Sequence, residues 1–354
     1  MSRFFSEKYK NLVPYTPGEQ PKEMEYVKLN TNESPFPPSQ KAMDYAAKAA
    51  EKLRLYPDPD LKELTASLAA TYGVQPENIV VNNGSDETLN FAFMAWCDEK
   101  TPAVFADITY GFYPVFAALN GIPYETIPLK EDFTLDIRDY FGGGKTVFIA
   151  NPNAPTGIAL KPGEIEEILQ HNPNNIVVVD EAYVDFGAES CVPLTKKYEN
   201  LLVIQTFSKS RSMAGARLGF GIGCKELIAD LHTIRYSTNP YNVNMLTAAA
   251  GLGMLADADY MAANCQKIQE NRAYTVAELE KMGFVMTPSV ANFIFAKHPT
   301  ADGGMLYREL KKRGVLVRHF DKARICDYNR ITVGSREQME IFVKTLREIL
   351  EEQK

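Results

Sequence analysis

The chain has 354 residues, of which 38 are basic and 45 acidic, giving a formal net charge of −7, and 45% are hydrophobic. This balance excludes disorder, collagen and coiled coil, and at roughly 100 to 200 residues per domain the length accommodates two domains. No apolar run approaches the roughly 20 residues that cross a bilayer, the start MSRFFSEKYKNLVPY lacks a signal-peptide core, and no cluster of positive charge offers a nucleic-acid or membrane surface, so a soluble, cytoplasmic protein is expected.

Residues 1–36 are rich in Pro, Tyr and Asn without sustained periodicity, which suggests an extended arm lying on another surface. KAMDYAAKAAEKL, at 41 to 53, reads as an amphipathic helix that the prolines of LYPDPD stop. Between 60 and 225, short apolar runs alternate with helical stretches: IVV at 79–81, AVFA at 103–106, TVFIA at 146–150, IVVVD at 176–180 and LLVIQ at 201–205. Runs without polar alternation are strands buried on both faces, so a mostly parallel sheet between helices is expected, an α/β architecture. Beyond about residue 240 come MLTAAAGLGMLA, a charged helix near 264–282, strands NFIFA at 292–296 and RITV at 330–333, and a last helix from about Glu337 to Glu352. The expected division is an arm at 1–36 that joins the small domain, a large domain at 37–245 and a smaller α+β domain at 246–354.

Two glycine motifs are set aside. FGGGKT at 141–146 has Asp139 where a phosphate loop needs glycine, and GFGIG at 219–223 lacks the third glycine and the helix of a dinucleotide site, so both read as turn and strand glycines. Five scattered cysteines without CxxC and four histidines without ligand spacing predict neither disulfides nor a metal site.

The informative residues stand at strand ends, where open α/β sheets bind ligands. Asp180 closes IVVVD, Tyr183 follows in DEAY, Lys209 lies just past the next strand in TFSKS, and Arg217 comes eight residues later. A lysine amine can form a Schiff base with an aldehyde cofactor, and a buried carboxylate can keep a pyridine nitrogen protonated. A phenol can donate to a phenolate oxygen, and an arginine can clamp a phosphate with two parallel bonds. That set describes pyridoxal phosphate.

With LNTNESPFPP (29–38), LYPDP (55–59), NNGSDE (82–87), TYGFY (109–113), NPNAPTG (151–157), DEAYVDF (180–186), TFSKSRSMAGARLGF (206–220) and NRITVG (329–334) in order, the chain resembles the fold-type I aminotransferases, and within them the histidinol-phosphate aminotransferase family. The resemblance implies a mostly parallel seven-stranded sheet between helices, a smaller α+β C-terminal domain, and pyridoxal 5′-phosphate on Lys209. It further implies that Asp180 pairs with the pyridine nitrogen, Tyr183 meets the phenolate oxygen and Tyr110 stacks on the ring. Thr206, Ser208 and Arg217 would bind the phosphate with the backbone amides of Gly84, Ser85 and Asp86, while Tyr56 would reach the phosphate of a neighbouring subunit in a homodimer with shared active sites. The family's usual NPNNPTG has an asparagine before PTG that donates to the phenolate oxygen; this chain has Ala154, so either Asn153 shifts to supply that donor, the favoured expectation, or Tyr183 holds the oxygen alone.

Arg318 and Arg330 are the expected grip on the substrate's phosphate or carboxylate, and Tyr15 the residue that closes over it. The implied reaction interconverts histidinol phosphate and 2-oxoglutarate with imidazole acetol phosphate and glutamate, in histidine biosynthesis. An aromatic amino-acid aminotransferase, a phosphothreonine decarboxylase and a non-catalytic pyridoxal-phosphate regulator are the alternatives; the last is disfavoured because the first 40 residues show no helix-turn-helix pattern or basic stripe.

Overall fold

A computed structural model describes residues 2–353. A mostly irregular arm leads into β1 (Val27–Lys28), α1 (Gln40–Ala50) and α2 (Lys62–Tyr72). Next come β2 (Ile79–Asn82), α3 (Ser85–Trp96), β3 (Ala103–Ala106), α4 (Tyr113–Asn120), β4 (Tyr124–Ile127) and β5 (Thr146–Ala150). They are followed by α5 (Pro162–His171), β6 (Val177–Asp180), β7 (Leu201–Thr206), β8 (Gly219–Ile222), α6 (Lys225–Thr238), α7 (Met245–Leu255) and the long α8 (Ala258–Lys281). The remainder is β9 (Val285–Met286), β10 (Phe293–Lys297), α9 (Gly303–Lys312), β11 (Val315–Leu316), β12 (Arg318–His319), β13 (Asn329–Thr332) and α10 (Arg336–Glu351).

Seven strands form the main sheet in the order β2-β8-β7-β6-β5-β3-β4. All neighbours run parallel except β8, which is antiparallel to both β7 and β2. The strands are buried on both faces: Val177, Val179, Leu201 and Val203 pack into one apolar cluster, while Val178, Leu202 and Ile204 pack into another on the opposite side. This is what a period-2 backbone does with an uninterrupted apolar run. Two strands of this sheet have no such run. β4 is an edge strand with three exposed residues of four, and β8 carries glycine at alternate positions.

The second sheet is antiparallel in the order β12-β13-β10-β9, and β1 pairs in parallel with β11 beside it. Consecutive parallel strands β5, β6 and β7 end along one edge of the main sheet, and that edge faces the turn into α3 and the strand pair β12-β13 across the cavities described below. No described helix is long and apolar enough to cross a membrane, and among the described residues no cluster of His, Cys, Asp and Glu could hold a metal.

Helices α1 and α7 touch backbone to backbone, because a Cβ at Gly253 would lie 2.5 Å from the Lys41 carbonyl oxygen. Gly163, in α5, has open space at the same point. Gly253→Ala is expected to lose about 1–2 kcal/mol in urea unfolding despite its better helix propensity, whereas Gly163→Ala is expected to be neutral or stabilising.

Candidate active site

The Asp180 side chain leaves the sheet at the carboxyl end of β6 and is 5% exposed. Its Oδ2 accepts from the Tyr113 hydroxyl at 3.2 Å and its Oδ1 from the Ala182 N–H at 3.2 Å. Burial pushes this carboxyl up to about 7, and the nearby Asp86 adds to the shift. A group so placed favours a cationic partner.

One strand away, the loop after β7 carries Lys209, whose Nζ donates to the Thr31 carbonyl at 3.1 Å and lies 5.6 Å from the centre of the Tyr183 ring. The Tyr183 hydroxyl accepts from Asn32 Nδ2 at 3.0 Å, and its ring meets Phe293 edge-on. Asp180, Tyr183, Lys209, Tyr110, Ser85, Asp86, Thr206, Ser208 and Arg217 line one cavity of about 380 Å³.

At the other end of this cavity, Arg217 Nη2 pairs with Asp86 Oδ2 at 3.1 Å and its Nη1 lies 3.4 Å from Ser208 Oγ, itself 3.0 Å from Thr206 Oγ1. Asp86 Oδ1 accepts from the Tyr110 hydroxyl at 2.7 Å, so one carboxylate holds both Arg217 and Tyr110. The first-turn amides of α3 begin here, at Ser85 and Asp86, a setting that favours anions. Two glycines permit the approach. A Cβ at Gly219 would sit 2.2 Å from the Ser85 nitrogen, and one at Gly84 (φ +82°) would sit 2.8 Å from Arg217 Nη2.

Two expectations are corrected. The Gly84 N–H is already donated to the Asn82 carbonyl at 2.9 Å, so Gly84 contributes room rather than an amide. The Asn153 side chain faces away from this cavity: its Oδ1 accepts from Thr109 Oγ1 at 2.7 Å, and its Nδ2 donates to the Ile108 carbonyl at 2.9 Å and to Thr156 Oγ1 at 3.1 Å. With every polar atom engaged in shaping its own loop, Asn153 is no substitute donor for the asparagine that Ala154 replaces.

A second cavity, of about 410 Å³, shares Tyr110, Tyr183, Lys209 and Ala154 with the first and adds Tyr15, Arg318 and Arg330. Arg318 on β12 and Arg330 on β13 are directly opposite in the strand register. Like charges in that relation repel, and burial pulls the Arg330 guanidinium below the ordinary arginine value, with Arg318 adding to the effect. Arg330 Nη2 donates to the Asn30 carbonyl at 3.0 Å, and its enclosed Nε has no partner among the described residues. Tyr15 stacks on Phe112 at 4.4 Å. Burial raises its phenol above the usual value while Arg318 and Arg330 pull it back, so at neutral pH it is a donor.

Tyr56 is not part of either cavity. It is 80% exposed and stacks on Tyr241 at 4.7 Å. Two residues that sequence reasoning missed touch the predicted ones directly, Tyr113 on Asp180 and Asn32 on Tyr183, and Asp86, expected through its backbone amide, also pairs with Arg217 through its side chain. TYGFY and LNTNESPFPP contained the first two, yet nothing in their spacing distinguishes a second tyrosine or asparagine that faces the site from one that packs.

The model of the aminotransferase class I and II family matches residues 24–346. A histidinol-phosphate aminotransferase of Brachyspira hyodysenteriae is 47% identical, covering 99% of both chains, and one of Clostridium botulinum is 45% identical with the same coverage. Among solved structures, the histidinol-phosphate aminotransferase of Sinorhizobium meliloti in complex with pyridoxal-5′-phosphate superposes with a TM-score of 0.84 at 23% identity, covering 93% of this chain and 92% of that one. The L-threonine-O-3-phosphate decarboxylase of Porphyromonas gingivalis superposes with a TM-score of 0.79 at 22% identity, covering 92% and 99%.

The raised Asp180 carboxyl makes the stability of the ligand-free chain pH-dependent. It titrates near 3.8 in an unfolded chain and at about 7 in the fold, so its stabilising contribution is complete at the acid end and drains away as pH rises toward 7. Asp180→Asn should therefore match the ligand-free parent near pH 4 and exceed it by on the order of 1 kcal/mol at pH 8, measured by urea unfolding at both pH values.

Proposed function

The chain belongs to the aminotransferases of class I and II, and on that premise we propose that it transfers an amino group between histidinol phosphate and 2-oxoglutarate with pyridoxal 5′-phosphate as cofactor. The single observation that carries the substrate is the cross-strand pair Arg318 and Arg330, two guanidiniums facing one cavity that opens onto Lys209. An anion relieves their repulsion. A planar fork fits phosphate and carboxylate alike, so the same pair would serve histidinol phosphate in one half-reaction and glutamate in the other. The full-length relatives at 45–47% identity bear the same name as this activity.

The residues present fit the cofactor. A buried carboxyl raised to about 7 suits a pyridinium, and Arg217, Ser208, Thr206 and the α3 amides of Ser85 and Asp86 make a donor set for a phosphate at the far end of the same cavity. When bound, pyridoxal 5′-phosphate supplies an aldehyde that takes up the amino group and a protonated ring that spreads the charge left at the carbon bearing nitrogen.

The protein's part is to hold and to move protons. Asp180, steadied by Tyr113, would keep the ring nitrogen protonated. Lys209 would hold the aldehyde, and its amine, when free, would be the general base at the substrate carbon. Tyr183 would donate to the phenolate oxygen and Tyr110 would lie against the ring face. Arg318 and Arg330 orient the substrate, with the Tyr15 phenol donating to its anion.

A homodimer with shared active sites belongs to the same proposal. It is supported by exposed Tyr56 stacked on Tyr241, and by a groove of about 720 Å³ along α1 and α7 that includes Tyr45, Leu61, Leu64, Met245 and Leu252. The substrates are small water-soluble molecules, which suits a cytoplasmic enzyme.

Single-turnover loss of the bound cofactor's absorbance with histidinol phosphate, phenylalanine and tyrosine in parallel tests the substrate. At least a tenfold preference for histidinol phosphate in kcat/KM, about 1.4 kcal/mol, is expected. Faster turnover of phenylalanine, or carbon dioxide release from phosphothreonine, would overturn the assignment. Arg318→Leu should raise KM for histidinol phosphate at least tenfold, about 1.4 kcal/mol, with a smaller effect on phenylalanine, and Lys209→Ala should abolish transamination.

A further inference from the structure

We propose that Asn32 is a positioning residue that turns the Tyr183 hydroxyl proton toward the cofactor's phenolate oxygen, in place of the direct donor lost at Ala154; this rests on the proposed function above.

The hydrogen-bond bookkeeping around Asn32 fixes its amide. The residue is 1% exposed and has φ of +56°, a backbone conformation that asparagine tolerates better than most side chains. Its N–H donates to Thr332 Oγ1 at 2.9 Å, so the Thr332 hydroxyl already accepts and must give its own proton elsewhere. Asn32 Oδ1, 3.1 Å away, takes it. The carbonyl of Asn32 accepts from Asn292 Nδ2 at 3.0 Å. With Oδ1 committed, Nδ2 faces the Tyr183 hydroxyl at 3.0 Å and donates to it. A phenol that accepts on one side has its proton free for the other, and that side is the cavity with Lys209.

The neighbours of Asn32 act on the same cavity. The Asn30 carbonyl holds Arg330, and the Thr31 carbonyl holds Lys209 Nζ. Three consecutive residues of the segment after β1 thus each fasten one group of the site. Ala154 lines the cavity with only a methyl group, and Asn153 is turned away, so the oxygen depends on the Asn32-Tyr183 relay.

The test uses the cofactor-loaded protein and the pH midpoint of the bound cofactor's absorbance, together with its dissociation constant. Donors at the phenolate oxygen draw off the charge that keeps a proton on the neighbouring nitrogen, so losing donation raises the midpoint. Asn32→Ser should raise it by about one unit, a tenfold change in proton affinity. Asn32→Asp should raise it further, because a carboxylate takes the phenol proton for itself. Ala154→Asn restores a direct donor, so it should lower the midpoint alone and return Asn32→Ser toward the parent value. An unchanged midpoint in Asn32→Ser, or no rescue by Ala154→Asn, would overturn the relay. Should the Asn32 variants not fold, an unchanged midpoint in Ala154→Asn alone would do so. A parent protein that takes up no pyridoxal 5′-phosphate would instead sink the proposed function.

Discussion

A carboxylate kept out of water at the tip of β6 is the constraint around which the site is built. Val177, Val178 and Val179 before it are fully buried, so the strand delivers Asp180 into a dry region where its charge is costly. Two donors, from Tyr113 and Ala182, offset only part of that cost, and the carboxyl rises to about 7. A protonated ring nitrogen is the partner such an acid favours. The low-dielectric setting that destabilises the lone charge also strengthens its attraction to a cation.

A second electrostatic tension lies across the cavity, with the opposite sign. Arg318 and Arg330 face each other over a strand pair, and the Asn30 carbonyl offers Arg330 only a dipole. The arm bears on this region from outside. Asn30 Nδ2 donates to the Glu19 carbonyl at 2.8 Å, and the Glu19 carboxylate is held by Tyr307 and Lys311 on α9. Those contacts fix the arm that presents Tyr15, so a neutral phenol from the arm converges with two guanidiniums from a pair of neighbouring strands near the other end of the chain. An anionic substrate would complete this set much as a pyridinium would complete Asp180.

The sequence displays the apolar strands and the charged residues at their ends, because both follow from local pattern: uninterrupted β-branched runs, then a polar residue where the run stops. β4 is hidden because an edge strand with solvent on its exposed face has no reason to be apolar, and YETI shows none of the signal. β8 shows only as strand glycines and not as an apolar run, because its glycines answer to something outside the strand, the first turn of α3 pressed against Gly219. Asn153 misleads for a similar reason. Position next to a replaced asparagine suggests a substitute, but its side chain is claimed by Thr109, Ile108 and Thr156. Asn32 is illegible because its importance comes from Thr332, 300 residues away, which decides which end of the amide faces Tyr183.

Asp180 and Glu181 show why perturbed acidity alone does not identify a functional group. They are adjacent, both are buried, and burial pushes both up to about 7. Glu181, however, accepts from Ser190 Oγ at 2.6 Å, from Gln205 Nε2 at 2.8 Å and from the Cys191 N–H. Gln205 in turn meets Tyr72, and Tyr72 meets Arg211, which is buried and paired with Asp185. That chain of contacts ties β6 to β7 and to the segment just after Lys209 without opening onto either cavity. Its role is to hold the lysine's loop, and the network satisfies itself. Asp180 has fewer donors and faces the cavity, so its remaining demand can be met only by something that enters there. Orientation, more than the size of the shift, separates the acid that supports the scaffold from the one that recognises a ligand.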